Sequence, residues 1–367
     1  MIISIFLLFY YYMGIPSVEY LKGYNIKHKV HSFYSKDGYL LFIIHLIPQT
    51  PINKSLLFMH GLFGTPANWY VESTGISMPF EFLENGYDVY LGYTRCNFDL
   101  QDYRLHKTYK NTDKRIWDFS IDDYTLDIQE FCKFIKCRHK NPLYGFGHST
   151  GASTLLMYTI QCNIQNKTCL LDKLILIGLA GIHQKYLQTT LPLIDSLIKS
   201  HKDLSAFPYT SDTSYMMTFK TLISLPGVSD IARNIIKILF GFDGDIVNCP
   251  FGGTSVKVIK HYYQLLKSNK FQMYDYGKEM NLDIYKTETP TQYTDYYSKI
   301  NIPIYLITGS KDILVHKKDI KKHLSFFKNN PNMKHVYWEN FIHKGHTELI
   351  MNLSNKDFYN LFKFVKK

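Results

Sequence analysis

The chain is poor in the signals that would place it in several large classes. Its six cysteines, at 96, 132, 137, 162, 169 and 249, form no C-x-x-C pair, which argues against a cysteine-built metal site. Cys162 and Cys169 are spaced to close a short loop, and Cys132 and Cys137 fall on one helical stretch as free thiols. No dense basic block appears, although the formal net charge is +11. With no zinc-finger, helix-turn-helix or RNA-binding signature either, nucleic acid is not an expected partner. There is no internal repeat and no low-complexity linker. The leading apolar run Ile2–Met13 is too short to span a bilayer.

What is present is ample core. Of 367 residues, 46% are hydrophobic, and 30 tyrosines and 25 phenylalanines add large side chains. A positive balance suits an anionic lipid or membrane surface. Lys, Asn, Ile, Tyr and Phe are abundant together, however, and compositional bias is the preferred account of the charge. The run Ile2–Met13 has the length of a signal-peptide apolar region without its basic start. Sequons at Asn53, Asn166 and Asn352 add slight support for secretory entry. The expected location is therefore secreted or lumenal.

The strongest local signal is Gly147-His148-Ser149-Thr150-Gly151, after the apolar run Leu143-Tyr144-Gly145-Phe146. Ala152, Leu155, Leu156, Thr159 and Ile160 follow at helical steps. Strand, tight turn and helix is the context in which a serine is raised as a nucleophile, and the turn leaves no room for side chains two residues either side. Upstream, Leu56-Leu57-Phe58-Met59 runs into His60-Gly61-Leu62-Phe63-Gly64, a loop suited to aiming backbone amides at a developing oxyanion. Downstream, Ile302–Thr308 reads as a strand ending at Gly309-Ser310-Lys311-Asp312, and His335–Trp338 as a strand before a loop with His343 and His346. The order serine, acid, histidine is that of α/β-hydrolases.

The remaining pattern agrees. A hairpin is expected from strands at 31–34 and 39–47 joined by Ser35-Lys36-Asp37-Gly38. Further strands are expected at 86–92 and 174–179. A helix is marked by Ile121, Tyr124, Ile128, Phe131 and Ile135, with Asp118, Asp122 and Asp123 suiting its positive end. A closing helix covers 357–365. Strands alternating with helices imply a mainly parallel sheet covered on both faces. The alternation stops between 181 and 299, where helical patterns at 191–198, 231–240 and 256–266 predict a mostly helical insertion. The expected organisation is a leader (1–17), a core (18–180 and 300–367) and a cap (181–299).

The chain resembles the acid lipase family, the gastric and lysosomal acid lipase group of α/β-hydrolases. Asp37-Gly38-Tyr39 with Ile47-Pro48, His60-Gly61-Leu62 with Asn68-Trp69, and Gly86–Gly92 followed by Arg95 and Asn97 carry the likeness. Trp117-Asp118-Phe119-Ser120, Gly253-Thr254-Ser255, Lys270-Phe271-Gln272 and Asp275-Tyr276-Gly277 make it specific. The sequence departs at Thr150, where the family usually has Gln, and at Cys96, where glycine is usual. The resemblance implies that Ser149 is the nucleophile, His346 the base in preference to His343, and Asp312 the orienting acid in preference to Asp319. The backbone amides of Leu62 and Thr150 would form the oxyanion hole, with His148 and His60 as supports. No cofactor or metal is implied. The implied substrate is a neutral lipid ester, a triacylglycerol or else a sterol ester. An acyltransferase, or a lipid-binding protein on a dead scaffold, are the competing classes.

Overall fold

The computed structural model describes residues 16–71, 75–100, 102–183, 191–200, 204–207, 252–328, 335–351 and 353–366. Most of the leader, the helix expected at 231–240, Cys249 and Asn352 lie outside them. The first half of the chain gives α1 (Pro16–Lys22), β1 (His28–Tyr34), β2 (Leu40–Leu46), β3 (Ser55–Met59), α2 (Met78–Glu84), β4 (Asp88–Gly92), α3 (Tyr124–Arg138), β5 (Leu143–His148), α4 (Thr150–Ile164) and β6 (Lys173–Ile177). The segment expected as an insertion holds α5 (Leu191–Ser200), β7 (Ala206–Phe207), β8 (Thr254–Ser255), α6 (Val256–Ser268) and α7 (Lys278–Tyr285). The chain then gives β9 (Ile304–Gly309), α8 (Lys317–Lys328), β10 (Val336–Phe341), α9 (Glu348–Met351) and α10 (Asn355–Lys366).

Eight strands form one sheet in the order β1-β2-β4-β3-β5-β6-β9-β10. β2 pairs antiparallel with β1 and with β4, and every other pairing is parallel. The parallel centre is built from β3, β5, β6 and β9, whose residues are almost all buried. Continuous apolar runs of this kind fit strands covered on both faces. The edges are different. β1 alternates partly exposed residues, including Lys29, and β10 carries Glu339 and exposed Trp338. Such mixed edges discourage further strand pairing.

The register decides where function can sit. Met59 lies beside Gly147, His148 beside Ile177, Ile177 beside Ile307, and Gly309 beside Phe341. The C-terminal ends of β3, β5, β6, β9 and β10 therefore reach one rim together. This is the side of an open parallel sheet where functional groups gather.

Several residues of the family resemblance meet in one buried network. Arg95 Nη2 lies 2.7 Å from Asp127 Oδ1 and its Nη1 lies 2.6 Å from Asp37 Oδ2. Its guanidinium stacks 4.2 Å from the centre of the Tyr39 ring. A planar guanidinium satisfied on both edges and one face is the arrangement that tolerates burial. One expectation gains detail and one needs correction. The aspartates stand before the start of α3 as expected, and two also make tertiary contacts: Asp118 accepts from Lys257 Nζ, and Asp122 accepts from the Tyr274 amide and the Tyr293 hydroxyl. Asp123, the third, turns back to the Ser120 amide. Finally, Cys162 and Cys169 stand as free thiols in contact with each other, and Cys169 Sγ also lies 3.8 Å from Thr159 Oγ1.

Candidate active site

β5 ends at His148 and α4 begins at Thr150, so Ser149 makes the whole turn alone. Its backbone adopts φ 54° and ψ −116°, a conformation that costs a non-glycine residue energy and persists only where its surroundings enforce it. The enforcement is visible. The Ser149 amide donates to Ile177 O at 2.8 Å, and its carbonyl accepts the Ser153 amide at 3.1 Å. A Cβ at Gly147 would overlap the backbone of Ala152, and one at Gly151 would overlap Met59 O. Both flanking glycines are thus required by close backbone approach, as the spacing predicts.

The two other candidates come from the neighbouring strand ends. Asp312 follows β9 and His346 follows β10. His346 Nδ1 donates to Asp312 Oδ2 at 2.7 Å, and both side chains are buried. Asp312 Oδ1 accepts the amides of Leu314 and Val315 at 2.9 and 2.8 Å. The carboxylate is therefore held at both oxygens and fixes the imidazole tautomer. With its proton on Nδ1, the ring leaves Nε2 as a lone-pair acceptor, and this atom is buried without a hydrogen-bond partner. A buried unpartnered nitrogen is costly.

The imidazole lies against the serine turn. The rings of His346 and His148 are 4.7 Å apart, and His148 Nε2 donates to the His346 carbonyl at 3.0 Å. Gly178, directly after β6, has φ +57°, and a Cβ there would come within 2.9 Å of His346 Cε1. The loop after β3 closes the other side. A Cβ on Gly61 would stand 3.2 Å from Ser149 Cβ. The Gly64 amide donates to Gly61 O at 3.1 Å, folding 61–64 into a tight turn that carries Leu62. Thr150 occupies the first position of α4, where helix amides have no partner within the helix.

The rival candidates lie elsewhere. Asp319 is in α8 and accepts from the His316 amide at 3.0 Å. His343 sits at φ 63° in the exposed turn after β10, its amide bonded to Ser310 Oγ.

Three histidines support the rim while staying neutral. Burial holds His60 down at about 4; its Nδ1 donates to Gly61 O, and its Nε2 accepts the Thr94 amide. Burial, with the neighbouring His346, pushes His148 well below the ordinary histidine range. His183, which sequence reasoning did not single out, is also held at about 4 by burial. Its Nε2 accepts the Gly181 amide and its Nδ1 donates to Leu314 O, so it braces the loop that fixes Asp312. Gly178 was likewise missed, although its place at the end of an apolar strand was the available signal.

An apolar roof covers the β3 loop. Phe63, Val256 and Ile259 form a small cluster with Leu62, Ile194 and Ile198. The inner faces of α5 and α6 therefore meet over the segment that holds Leu62. Just before α6, the Gly252 amide donates to Phe63 O at 2.7 Å, and Asn97 Nδ2 donates to Gly64 O at 2.9 Å.

No protein-family model matches the chain. It is similar to named proteins over most of its length. It is 25% identical to triacylglycerol lipase 1 of Arabidopsis thaliana, across 89% of this chain and 84% of that protein. It is 26% identical to the gastric triacylglycerol lipase of Bos taurus, across 84% and 82%, and 26% identical to human lipase member M, across 89% and 81%. In fold it is similar to a thermostable carboxyl esterase from Bacillus coagulans, with TM-score 0.57, 16% identity and coverage of 93% of this chain and 99% of that one. It is also similar to a soluble variant of the Saccharomyces cerevisiae monoglyceride lipase, with TM-score 0.54, 15% identity and 93% of each chain covered. Its sequence relatives make the chain similar to the acid and gastric lipases, and its mostly parallel eight-stranded sheet is an α/β-hydrolase fold.

Proposed function

We propose that the protein hydrolyses carboxylic esters of neutral lipids through an acyl-enzyme on Ser149, with His346 as the base and Asp312 as its orienting acid. Carboxylic ester hydrolysis is the reaction class of the lipase relatives and of the esterase fold neighbours. The observation that carries the finer reading is the buried Asp312–His346 pair, with Nε2 left free beside the strained Ser149 turn.

The chemistry follows from the positions. Ser149 Oγ attacks the ester carbonyl carbon as its proton passes to His346 Nε2, since the hydroxyl alone is too weak a nucleophile. Asp312 stabilises the imidazolium that forms. The carbonyl oxygen becomes an oxyanion and is received by the amides of Leu62 and Thr150. Collapse expels the alcohol, which takes the proton from Nε2, and leaves the acyl group on Ser149. Water then repeats the sequence and releases the acid. The serine–histidine hydrogen bond of such a site tightens as substrate binds.

Two observations favour a lipid ester. The roof of Leu62, Phe63, Ile194, Ile198, Val256 and Ile259 is apolar and lies beside the oxyanion loop. Its helices belong to residues 181–299, which we assign as a cap over the core of 18–180 and 300–367. A secreted or lumenal location and action at a lipid–water interface belong to the same reading. A triacylglycerol is the preferred substrate, a sterol ester the second.

Wild type and Ser149→Ala should be compared on a panel of triacylglycerols, sterol esters and short soluble esters, with fluorophosphonate labelling in parallel. Wild type turns over at least one lipid ester and is labelled at Ser149, and the variant does neither. Equal rates for the two proteins would overturn the reading. Transfer of the acyl group to added sterol, in preference to water, would reassign the enzyme as an acyltransferase.

A further inference from the structure

Thr150 departs from the family pattern, and the structure shows what its side chain does. Thr150 Oγ1 lies 2.6 Å from the Tyr262 hydroxyl, across 112 residues of sequence. Tyr262 is on α6, and its hydroxyl also reaches Ser153, one turn further along α4. Ser153 Oγ in turn donates to Ala180 O at 2.8 Å. The tyrosine thus binds the first turn of α4 at two points.

The root of α6 is fixed as well. Ser255 Oγ accepts the Val258 amide at 3.1 Å and donates to Phe119 O at 2.5 Å. Thr254 Oγ1 pairs with the Tyr124 hydroxyl at 2.7 Å. Four residues before the helix begins, the Gly252 amide is hydrogen-bonded to Phe63 O. One short segment, 252–262, therefore grips the Leu62 loop at one end and the Thr150 turn at the other.

We propose that Tyr262 is a positioning residue for the oxyanion hole: its hydroxyl, acting through Thr150 Oγ1, sets the Thr150 amide at a fixed separation from the Leu62 amide. This inference rests on the Ser149 reading. The physical need is clear. Two amides on separate strand-end loops must converge on one oxygen, and sites of this kind lose rate when displaced by a fraction of an ångström. The hydrogen bond also occupies the threonine hydroxyl, which otherwise competes for nearby backbone groups.

The test uses the full chain and a short soluble p-nitrophenyl ester. Tyr262→Phe removes only the hydroxyl. The expected result is a kcat lower by about tenfold with KM within twofold, well short of the hundred- to thousandfold typical of losing a donor outright. Thr150→Val should give a similar loss, and the double variant should be no slower than the slower single one, because both break one link. Thr150→Ser should recover most of what Thr150→Val loses. Melting temperatures establish that the variants are folded, and if Tyr262→Phe does not fold, the comparison of Thr150→Val with Thr150→Ser decides. A folded Tyr262→Phe with unchanged kcat, or with KM raised alone, overturns the proposal, as do additive losses in the double variant. A Ser149→Ala variant as active as wild type would instead remove the hydrolase reading, and this inference with it; an inert Ser149→Ala beside an unimpaired Tyr262→Phe removes this inference only.

Discussion

Asp312 divides its oxygens between two tasks. Oδ2 receives His346 Nδ1, while Oδ1 is held by two backbone amides of its own loop. Asp312→Asn can keep the loop contacts, but its amide can present an N–H where an acceptor is needed, which favours the wrong imidazole tautomer. We expect kcat on a soluble ester to fall by about three to four orders of magnitude with KM little changed. Steady-state kinetics on the folded variant check this, and a loss under tenfold would mean that another acid holds His346. Gly178 is a second sensitive position, for a steric reason. An alanine there would have to keep φ +57°, at a cost of about 1–2 kcal/mol, and would press its methyl to 2.9 Å from His346 Cε1. Gly178→Ala should therefore lose at least tenfold in kcat and a few degrees in melting temperature. If it lost stability with kcat intact, the imidazole would not depend on that contact.

At the scale of elements, the legible part of this protein was whatever local pattern dictates. Ser149 and Asp312 each follow an apolar run that reads as a buried strand, and His346 follows a mixed run that reads as a strand candidate, so a shared rim could be expected from β5, β9 and β10 before any contact was known. The hairpin at Asp37-Gly38 and the helices at 191–200, 256–268 and 355–366 were readable for the same reason, as period and turn residues agree there. What stayed hidden depends on contacts between distant segments. Nothing about Tyr262, one of 30 tyrosines, marks it as the partner of Thr150. His183 looks like any loop histidine until Leu314 is seen against it. The aspartates before α3 matched a helix-dipole rule, yet two of them are held by residues of 252–299. That segment is anchored at β8, and Ser255 both caps α6 and donates to Phe119 O. Replacing it by alanine removes two hydrogen bonds at a buried helix start, a loss of about 1–2 kcal/mol. Ser255→Ala should melt about 1–3 °C below wild type in a thermal scan. An unchanged midpoint would show that α6 is held by its apolar face alone.

The whole molecule carries a pH dependence set by its buried histidines. His60 and His183 are held at about 4, His323 at about 3 and His148 well below its ordinary value, in each case chiefly by burial. Unfolded, these groups take up protons below about pH 6.5. The unfolded state then binds more protons than the folded one, so stability falls as pH drops from about 6.5 toward 4. At pH 5, His60 and His183 would each lose roughly 2 kcal/mol of their contribution. Asp99 acts with the opposite sign. Burial raises it to about 6, and Asp127 likewise, so their ionised forms weaken the fold above that pH, and protonation between pH 7 and pH 5 restores about 1 kcal/mol at each. Asp122 is raised by burial too, and four histidines against these three aspartates still leave a net loss on acidification. The melting temperature should drop by about 5 °C or more between pH 7 and pH 5, for the wild-type chain at constant ionic strength. His323, which lies in α8 with its ring hydrogen-bonded to Tyr297 and is not one of the triad residues, provides the control. His323→Gln should flatten the pH slope of the melting temperature without moving the pH dependence of kcat. A melting temperature that rose on acidification would mean that these histidines are protonated in the native state and paired with acids, contrary to the contacts described here.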